Sequence, residues 1–583
     1  MSTSRSDPRT RGRRARGLAA LAAVAFVIGA IVGAGHGANA ATGAAERFAA
    51  AWSRGDYTAM YADVDDATRR RLSPHQFAAA YRGAARTATE TRLRFAGKAR
   101  TETDGTIVLA AMVDTRVWGR LAERLRLRAV ADPDGEHVRW SRALLFPGLS
   151  PGESLGRRTQ LPARASIEAR DGTALAEGDA EAPGARNSPL GPAADAAIGE
   201  VGTAPAPRRA QLEADGVAPD AIVGLSGLEL ALDSRLRGRP GGELLAGSRV
   251  LARAPTRAGE AVRTTISAPL QRTAAAALGG QLGGVVAIEP RSGAVLAVAG
   301  LGIDDLQPPG STFKMVTLTA ALEAKVASTK SEYPYASSTL LDGVKLENAN
   351  GESCGGSLAL AFAVSCNSVF APLGVKVGAR RLVATAEGYG FNRPPGLPGA
   401  IESTLPPASQ IKGELDLGST AIGQGQVQAS PLQMVTIAAT IADVGRRPTP
   451  TFSLSPTGPH PGPRVVAAAT ARTVRRLMID VVREGTGTAA AIPGVTVAGK
   501  TGTAELGEAH CASGEGGAGG ESGAEHGSEA CSSKNPQNTD AWFAAFAPAL
   551  APRIAVGVLM VKDGAGGESA APVAKEVIEA ALR

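Results

Sequence analysis

The sequence predicts a multidomain, membrane-anchored α+β protein whose largest domain is a central antiparallel sheet covered by helices. Three observations carry that expectation. A length of 583 residues, 44% hydrophobic and 20% charged, suits about three or four globular domains rather than one module or a disordered chain. An uncharged run from Gly17 to Gly35 follows a basic N-terminal tail. Two hairpin patterns, Val285–Glu289 with Ala294–Ala299 and Ala541–Phe546 with Ile554–Val561, enclose a long stretch of helical periodicity, as expected of antiparallel strands with helices packed on them.

The N-terminus sets topology. Arg5, Arg9, Arg11, Arg13, Arg14 and Arg16 against Asp7 give +5 of the total net charge of +7, so the body is nearly neutral. That distribution excludes a nucleic-acid partner, which needs a clustered cationic face on the folded part. An apolar run of roughly twenty residues crosses a ~30 Å hydrocarbon core as a helix. By the positive-inside rule residues 1–16 stay cytoplasmic, 17–37 form a single-pass anchor in the cell membrane, and the remainder is extracytoplasmic. Ala38-Asn39-Ala40 has the small-residue pattern of a signal-peptidase site, so cleavage and secretion stand as the alternative. Export permits disulfides, and the cysteines fall into two local pairs, Cys354 with Cys366 and Cys511 with Cys531. Both are expected oxidised, buried free thiols being the alternative.

Residues 41–150 read as a small α+β domain. Helical patterns at 44–54, 57–65 and 74–86 precede alternating segments at 106–114 and 137–145, and Pro147 to Gly152 closes the domain with turn residues. Residues 157–258 form a second, less regular domain. Within it Glu177 to Arg209, rich in Ala, Pro and Gly without apolar period, predicts a loop or linker. Residues 262–583 form the large domain. A helix is expected after the Pro308-Pro309-Gly310 break and another over Ala571–Leu582, while Gly507 to Asn535 has no periodicity and predicts a surface loop tied by Cys511 and Cys531.

Three short elements in the large domain carry the chemistry. In Ser311-Thr312-Phe313-Lys314 the serine and lysine lie three apart on one helical face, so a neutral Lys314 amine could deprotonate the Ser311 hydroxyl. That spacing alone is common. It is strengthened by Ser365-Cys366-Asn367, which offers a second hydroxyl for proton relay and an amide to orient the lysine and the substrate backbone. Lys500-Thr501-Gly502-Thr503 adds a cation and hydroxyls to receive a carboxylate, at the end of the β-branched run Val495 to Ala498, where Gly502 lets a substrate backbone approach. Lysine is otherwise scarce, with none between Lys98 and Lys314.

Other chemistries fit less well. Gly494 to Thr501 formally matches a phosphate-binding loop, but its interior is β-branched and no helix pattern begins at Lys500. None of His36, His75, His137, His460, His510 and His526 accompanies a serine as a Ser-His-Asp hydrolase requires. His510, Cys511, His526 and Cys531 lack finger spacing, so a disulfide is expected there in preference to zinc. Neither metal nor cofactor is expected.

With these residues in place, the chain resembles the class B, monofunctional penicillin-binding transpeptidases. The resemblance rests on PPGSTFK (Pro308 to Lys314), TTISAPLQ (Thr264 to Gln271), AIGQG with SPLQ (Ala421 to Gln433), VAGKTGTAE (Val497 to Glu505) and AWFAAFAP (Ala541 to Pro548). RASIEARDGTALA (Arg164 to Ala176) and GLSGLELALDSRLRGRPG (Gly224 to Gly241) are similar to the family's dimerisation or pedestal domain. The N-terminal domain is similar to the nuclear-transport-factor-like, cone-shaped domain of its low-affinity resistance subgroup. The chain departs from the family in a short Leu301–Gln307 segment, a low-complexity 177–209 stretch and a long insertion after Glu505.

The resemblance implies a serine D,D-transpeptidase that cross-links peptidoglycan stem peptides and is acylated by β-lactams. Ser311 is then the nucleophile, Lys314 its base, and Ser365 with Asn367 the relay and orienting pair. Lys500, Thr501 and Thr503 would receive the terminal carboxylate, with Gly502 admitting the substrate and the backbone N–H groups of Ser311 and Thr503 forming an oxyanion hole. The same chemistry would serve a D,D-carboxypeptidase or a β-lactamase-type hydrolase. A non-catalytic wall-synthesis scaffold or β-lactam sensor is the non-enzymatic alternative. No glycan-polymerising set lies between Ala41 and Thr256, so a membrane glycan polymerase within a cell-wall synthesis complex is the expected partner.

Overall fold

In a computed structural model the structure describes residues 40–182, 184–454, 461–505 and 538–583. The expected basic tail and membrane anchor, the loop after Glu505 with Cys511 and Cys531, and His460, His510 and His526 lie outside them. Among the described residues no helix is long and apolar enough to cross a membrane. The chain divides into two units: Met1–Gln160, Ala206–Pro219 and Pro240–Thr256 form one, and Leu161–Pro205, Asp220–Arg239 and Arg257–Arg583 the other. The region 157–258, expected as one domain, thus contributes to both.

In the first unit, helices Ala40–Ser53, Tyr57–Ala62, Asp66–Arg71 and Pro74–Thr87 precede a four-stranded antiparallel sheet in sequential order. Local chemistry sets the helix starts: Asp56 and Asp65 cap theirs, and Ser73 forms a capping box with Gln76 ahead of Pro74. Phe48, Trp52, Phe77 and Tyr81 are buried from the helical side, and Leu109, Ala111 and Val113 from the sheet. Two strands escaped the sequence reading, Glu90–Thr101 and Gly119–Asp132. Their outward positions are so dense in Arg and Glu that the inward Leu93, Leu121, Leu125 and Leu127 do not stand out. The strand expected at 137–145 is shorter: it ends at Arg139 and a single 3-10 turn, Arg142–Leu145, follows.

The second unit is built on a five-stranded antiparallel sheet, in the order Val295–Gly300, Gly283–Ile288, Ile554–Met560, Thr539–Ala547, Ala498–Glu505. Nearly all of these strand residues are buried, because both faces carry helices. Period-two alternation divides the side chains. Val285, Ala287, Phe543 and Ala545 join the core with helices Ala268–Ala277 and Ala570–Leu582. Val286, Ile288, Trp542 and Ala544 join the core that includes Pro431–Ala442, Lys314–Glu323 and Ala468–Glu484.

The stretch Glu177–Arg209 is a correction to the sequence reading. It carries strands Ala174–Gly178, Arg186–Asn187 and Val201–Thr203, a helix Asp195–Ile198 and the start of Ala206–Ala214. Small elements bury Ala194, Ala197 and Ile198, which are too few and too close to produce a helical period. Nearby, Arg164 and Arg186 both pair with Glu229 at 2.6 Å, and Arg164 also reaches Asp233 at 2.8 Å. This buried network joins the RASIEARDG and GLELALDSR segments through Arg164, Glu229 and Asp233, residues exposed by type yet interior by position.

Candidate active site

Three elements of the second unit meet at one place. Pro308 and Pro309 prevent helix formation before Gly310, and a 3-10 turn, Gly310–Phe313, leads into helix Lys314–Glu323. In a 3-10 turn residues three apart eclipse, so Ser311 and Lys314 lie on one side. Gly310 has φ +50°, its N–H donates to Gly423 O at 2.9 Å, and a Cβ on it would stand 2.5 Å from Thr503 O. A Cβ on Gly423 would in turn meet Gly310 O at 2.1 Å. These glycines permit the turn, the AIGQG segment and the strand to touch through bare backbone.

The second element lies between helices Leu358–Ala363 and Asn367–Val377. Ser365 occupies left-handed backbone at φ 62°, which costs a side-chain-bearing residue about 1 kcal/mol or more. The conformation is held by Ser365 N–H to Phe362 O, Cys366 N–H to Ala361 O at 2.8 Å, and a Cys354–Cys366 disulfide. Asn367 Nδ2 donates to Glu347 O at 3.0 Å, which turns Oδ1 toward Lys314.

The third element is strand Ala498–Glu505, which contains the whole Lys-Thr-Gly-Thr segment. The strand begins at Ala498, past most of the β-branched run that predicted it. Its position inside a sheet, with no helix starting at the lysine, removes the phosphate-loop reading. Gly502 is obligatory for packing, since a Cβ would stand 2.7 Å from Pro309 O. The strand is at the sheet edge, and among the described residues no strand pairs with its other side.

Lys314 and Lys500 are both fully buried and converge on Ser365. Lys314 Nζ donates to Ser365 O and Asn367 Oδ1, each at 2.6 Å, and lies 3.3 Å from Ser365 Oγ. Lys500 Nζ donates to the same Oγ at 2.9 Å and to Thr501 O at 3.1 Å. Burial pushes the Lys500 amine down to about 7. Burial and then repulsion from Lys500 hold Lys314 well below the usual lysine range. Among the described residues no carboxylate pairs with either lysine. Aromatic faces stand in: Phe370 lies 5.7 Å from Lys314 Nζ and Phe362 5.5 Å from Lys500 Nζ.

Ser311, Ser365, Asn367 and Thr503 are half-buried at the mouth of this arrangement. Thr501 is buried instead, its hydroxyl 2.5 Å from that of Thr486. Phe362, Phe370, Thr486 and Gly423 were not singled out from sequence as site residues. Phe362 and Phe370 flank the Ser-Cys-Asn segment and Thr486 stands in a Gly-Thr-Gly triplet, but only the assembled fold shows what they face. Chemically, the site brings together a half-buried hydroxyl, two buried amines of lowered proton affinity and a second hydroxyl between them, the groups that acyl transfer uses.

Residues 283–579 match the model of the penicillin binding protein transpeptidase domain, 179–250 the penicillin-binding protein dimerisation domain, and 40–153 the NTF2-like N-terminal transpeptidase domain. Among curated proteins, the chain is 37% identical over 308 residues to the peptidoglycan D,D-transpeptidase PbpA of Mycobacterium tuberculosis, covering 48% of this chain and 56% of that protein. It is 34% identical to PbpA of Mycolicibacterium smegmatis over 427 residues, covering 61% and 80%. Similar solved structures include the ceftriaxone acyl-enzyme complex of M. tuberculosis penicillin-binding protein A, with 28% identity, a TM-score of 0.56 and coverage of 72% and 99%. Pseudomonas aeruginosa PBP2 gives 25% identity, a TM-score of 0.60 and coverage of 73% and 96%.

Proposed function

The chain belongs to the penicillin-binding protein transpeptidase family, and from that premise we propose that it is a peptidoglycan D,D-transpeptidase acting through an acyl-enzyme on Ser311. The observation that carries this is the bonding of Lys314. Its Nζ is held by Ser365 O and Asn367 Oδ1 at 2.6 Å each with Ser365 Oγ at 3.3 Å, and once deprotonated an amine so held keeps its lone pair for a hydroxyl proton.

In the first half-reaction the stem-peptide backbone lies along the open edge of strand Ala498–Glu505, as an added strand. Its terminal carboxylate is drawn to the charge of Lys500 and to Thr503. Ser311 Oγ attacks the carbonyl carbon of the penultimate D-alanine while its proton passes to Lys314 Nζ. The backbone N–H groups of Ser311 and Thr503 receive the developing oxyanion. The C–N bond then breaks, and Ser365 Oγ, between the two amines, relays a proton to the departing D-alanine nitrogen. In the second half-reaction an amine from a neighbouring peptide attacks the ester, gives its proton back through the same groups, and the C–O bond to Ser311 breaks. A β-lactam enters as the same electrophile, its ring nitrogen taking the leaving-group role.

The proposal extends to topology: residues 1–16 a cytoplasmic tail, 17–37 a membrane anchor, 41–150 and 157–258 the N-terminal and pedestal regions, and 262–583 the transpeptidase domain. The partner proposed for it is a membrane glycan polymerase within a cell-wall synthesis complex.

Intact-mass measurement after incubation with a penicillin tests the reading. A single stable adduct that Ser311→Ala abolishes is expected. Absence of an adduct on folded protein would overturn it, and rapid turnover of the adduct would favour the hydrolase.

A further inference from the structure

A cavity of about 200 Å³ in the second unit has a chemistry the acyl-transfer reading leaves unused. It lies beside the start of helix Pro431–Ala442 and is walled by the segments around Gly390–Gly396 and Arg447–Pro450. Gly390 ends helix Ala379–Tyr389 in the left-handed region, at φ 117°. A Cβ on it would stand 3.2 Å from Gln433 Oε1 and 3.3 Å from Arg447 Nη1, so its missing side chain is the space into which the Arg447 guanidinium reaches.

Arg393 lines the same cavity, and among the described residues neither arginine has an ion pair or a side-chain hydrogen bond. Their neighbours differ: Arg446 Nη1 donates to Gly462 O at 3.2 Å and Arg464 Nη1 to Val444 O at 2.5 Å. No carboxylate lines the cavity. Arg447 is half-buried, and its proton affinity is lowered first by burial and then by the charge of Arg393. Two like charges, one half-buried and one exposed, therefore line one open cavity, and among the described residues no ion pair neutralises either. The remaining lining mixes apolar residues, among them Pro394, Ile401 and Leu432, with a few hydroxyl and amide groups. Ser403 Oγ accepts the Ser430 N–H at 3.1 Å and keeps its own hydrogen to donate. The first-turn N–H groups of helix Pro431–Ala442 are taken by Gly302 O and Ser430, so the helix start adds no free donor to the cavity.

We infer that this cavity is a binding site for a small oxyanion, a carboxylate or phosphoryl group, gripped between Arg393 and Arg447 with the Ser403 hydroxyl as a third donor. Guanidinium forks match such groups bidentately. The volume sets the size class. Pockets for drug-sized ligands run to about 300–1,000 Å³, so this one takes inorganic phosphate, a phosphomonoester head or a terminal carboxylate, and not a nucleotide or a disaccharide. The inference is independent of the reaction at Ser311.

Calorimetric titration of the full chain with inorganic phosphate and, separately, with acetate tests it. Saturable one-to-one binding of either is expected, weakened about tenfold or more in Arg447→Gln and in the exposed Arg393→Gln, since each loses a charge-assisted pair. Arg447→Lys, which keeps charge without the fork, should fall between. Preference for phosphate would assign a phosphoryl source and preference for acetate a carboxylate one. Penicillin acylation of the same variants, expected unchanged, certifies their fold. No saturable binding of either anion up to about 10 mM, or binding indifferent to both substitutions, overturns the site.

Discussion

Lys500 Nζ stands 2.9 Å from Ser365 Oγ, so a residue of the sheet edge and a residue of an inter-helix turn are joined by one hydrogen bond inside the site. With Lys314 Nζ 3.3 Å from the same oxygen, two buried amines share a single hydroxyl, and both cannot comfortably carry a proton.

The rate of β-lactam acylation should accordingly rise with pH as Lys314 loses its proton. Part of the depression of Lys314 comes from Lys500. Lys500→Met should therefore lower the rate and also move the rise to higher pH. Adduct formation followed by mass or by a fluorescent penicillin across the pH range checks this; a slower rate with an unmoved profile would show that the two amines are uncoupled.

Stability should carry a related signature. The Lys500 amine sits at about 7 in the folded chain against 10.5 ordinarily. Between those values the unfolded chain holds a proton the folded chain lacks, so this residue makes stability rise with pH across the window. Below about 7 both states are protonated and its contribution is flat. Denaturant titration at two pH values inside the window should show a shallower rise for Lys500→Met than for the native chain.

Removing the Cys354–Cys366 bridge, by the paired change Cys354→Ala and Cys366→Ala, should cost about 2–3 kcal/mol. Because the bridge anchors the residue next to Ser365, acylation should also slow, by about tenfold for each 1.4 kcal/mol of positioning lost. Denaturant midpoints and acylation rates on the same sample separate the two effects.

Gly310→Ala should be far more damaging than an alanine substitution at an ordinary turn. Its Cβ would meet Thr503 O at 2.5 Å in a backbone conformation that already disfavours side chains. Loss of penicillin acylation by about a hundredfold or more is expected if the strand and turn are pushed apart even slightly. Retained circular dichroism with lost acylation would locate the damage at the site.

Glu229→Gln should cost about 3–5 kcal/mol, because it leaves Arg164 and Arg186 buried with one carboxylate fewer. Thermal unfolding measures that cost. The fraction that stays folded should acylate normally, since the network lies outside the catalytic elements.

Much of this was legible in the chain. The two hairpins and the terminal helix follow from apolar runs broken by turn residues, and Ser311, Lys314, Ser365, Asn367 and Lys500 were named from spacing and order. What sequence could not supply came from long-range packing. The inward leucines of Gly119–Asp132 are hidden among arginines, and the short elements of 177–209 bury too few residues each to leave a period. Phe362 and Phe370 matter as faces beneath the lysines, a role no one-dimensional pattern encodes. Glycine had the opposite fate: Gly310 and Gly423 were quoted within motifs, but only the packing of Gly310 on Thr503 O and of Gly423 on Gly310 O explains why no side chain fits.

Strand Ala498–Glu505 ends its sheet, and among the described residues no strand takes up the outer row of backbone groups, which another extended chain could join. Natural edges are commonly blunted by a charge pointing inward, which another molecule's strand would have to bury a second time. Lys500 is such a charge. A Lys500→Met protein would keep that edge without its inward amine, and aggregation is then expected alongside lost chemistry.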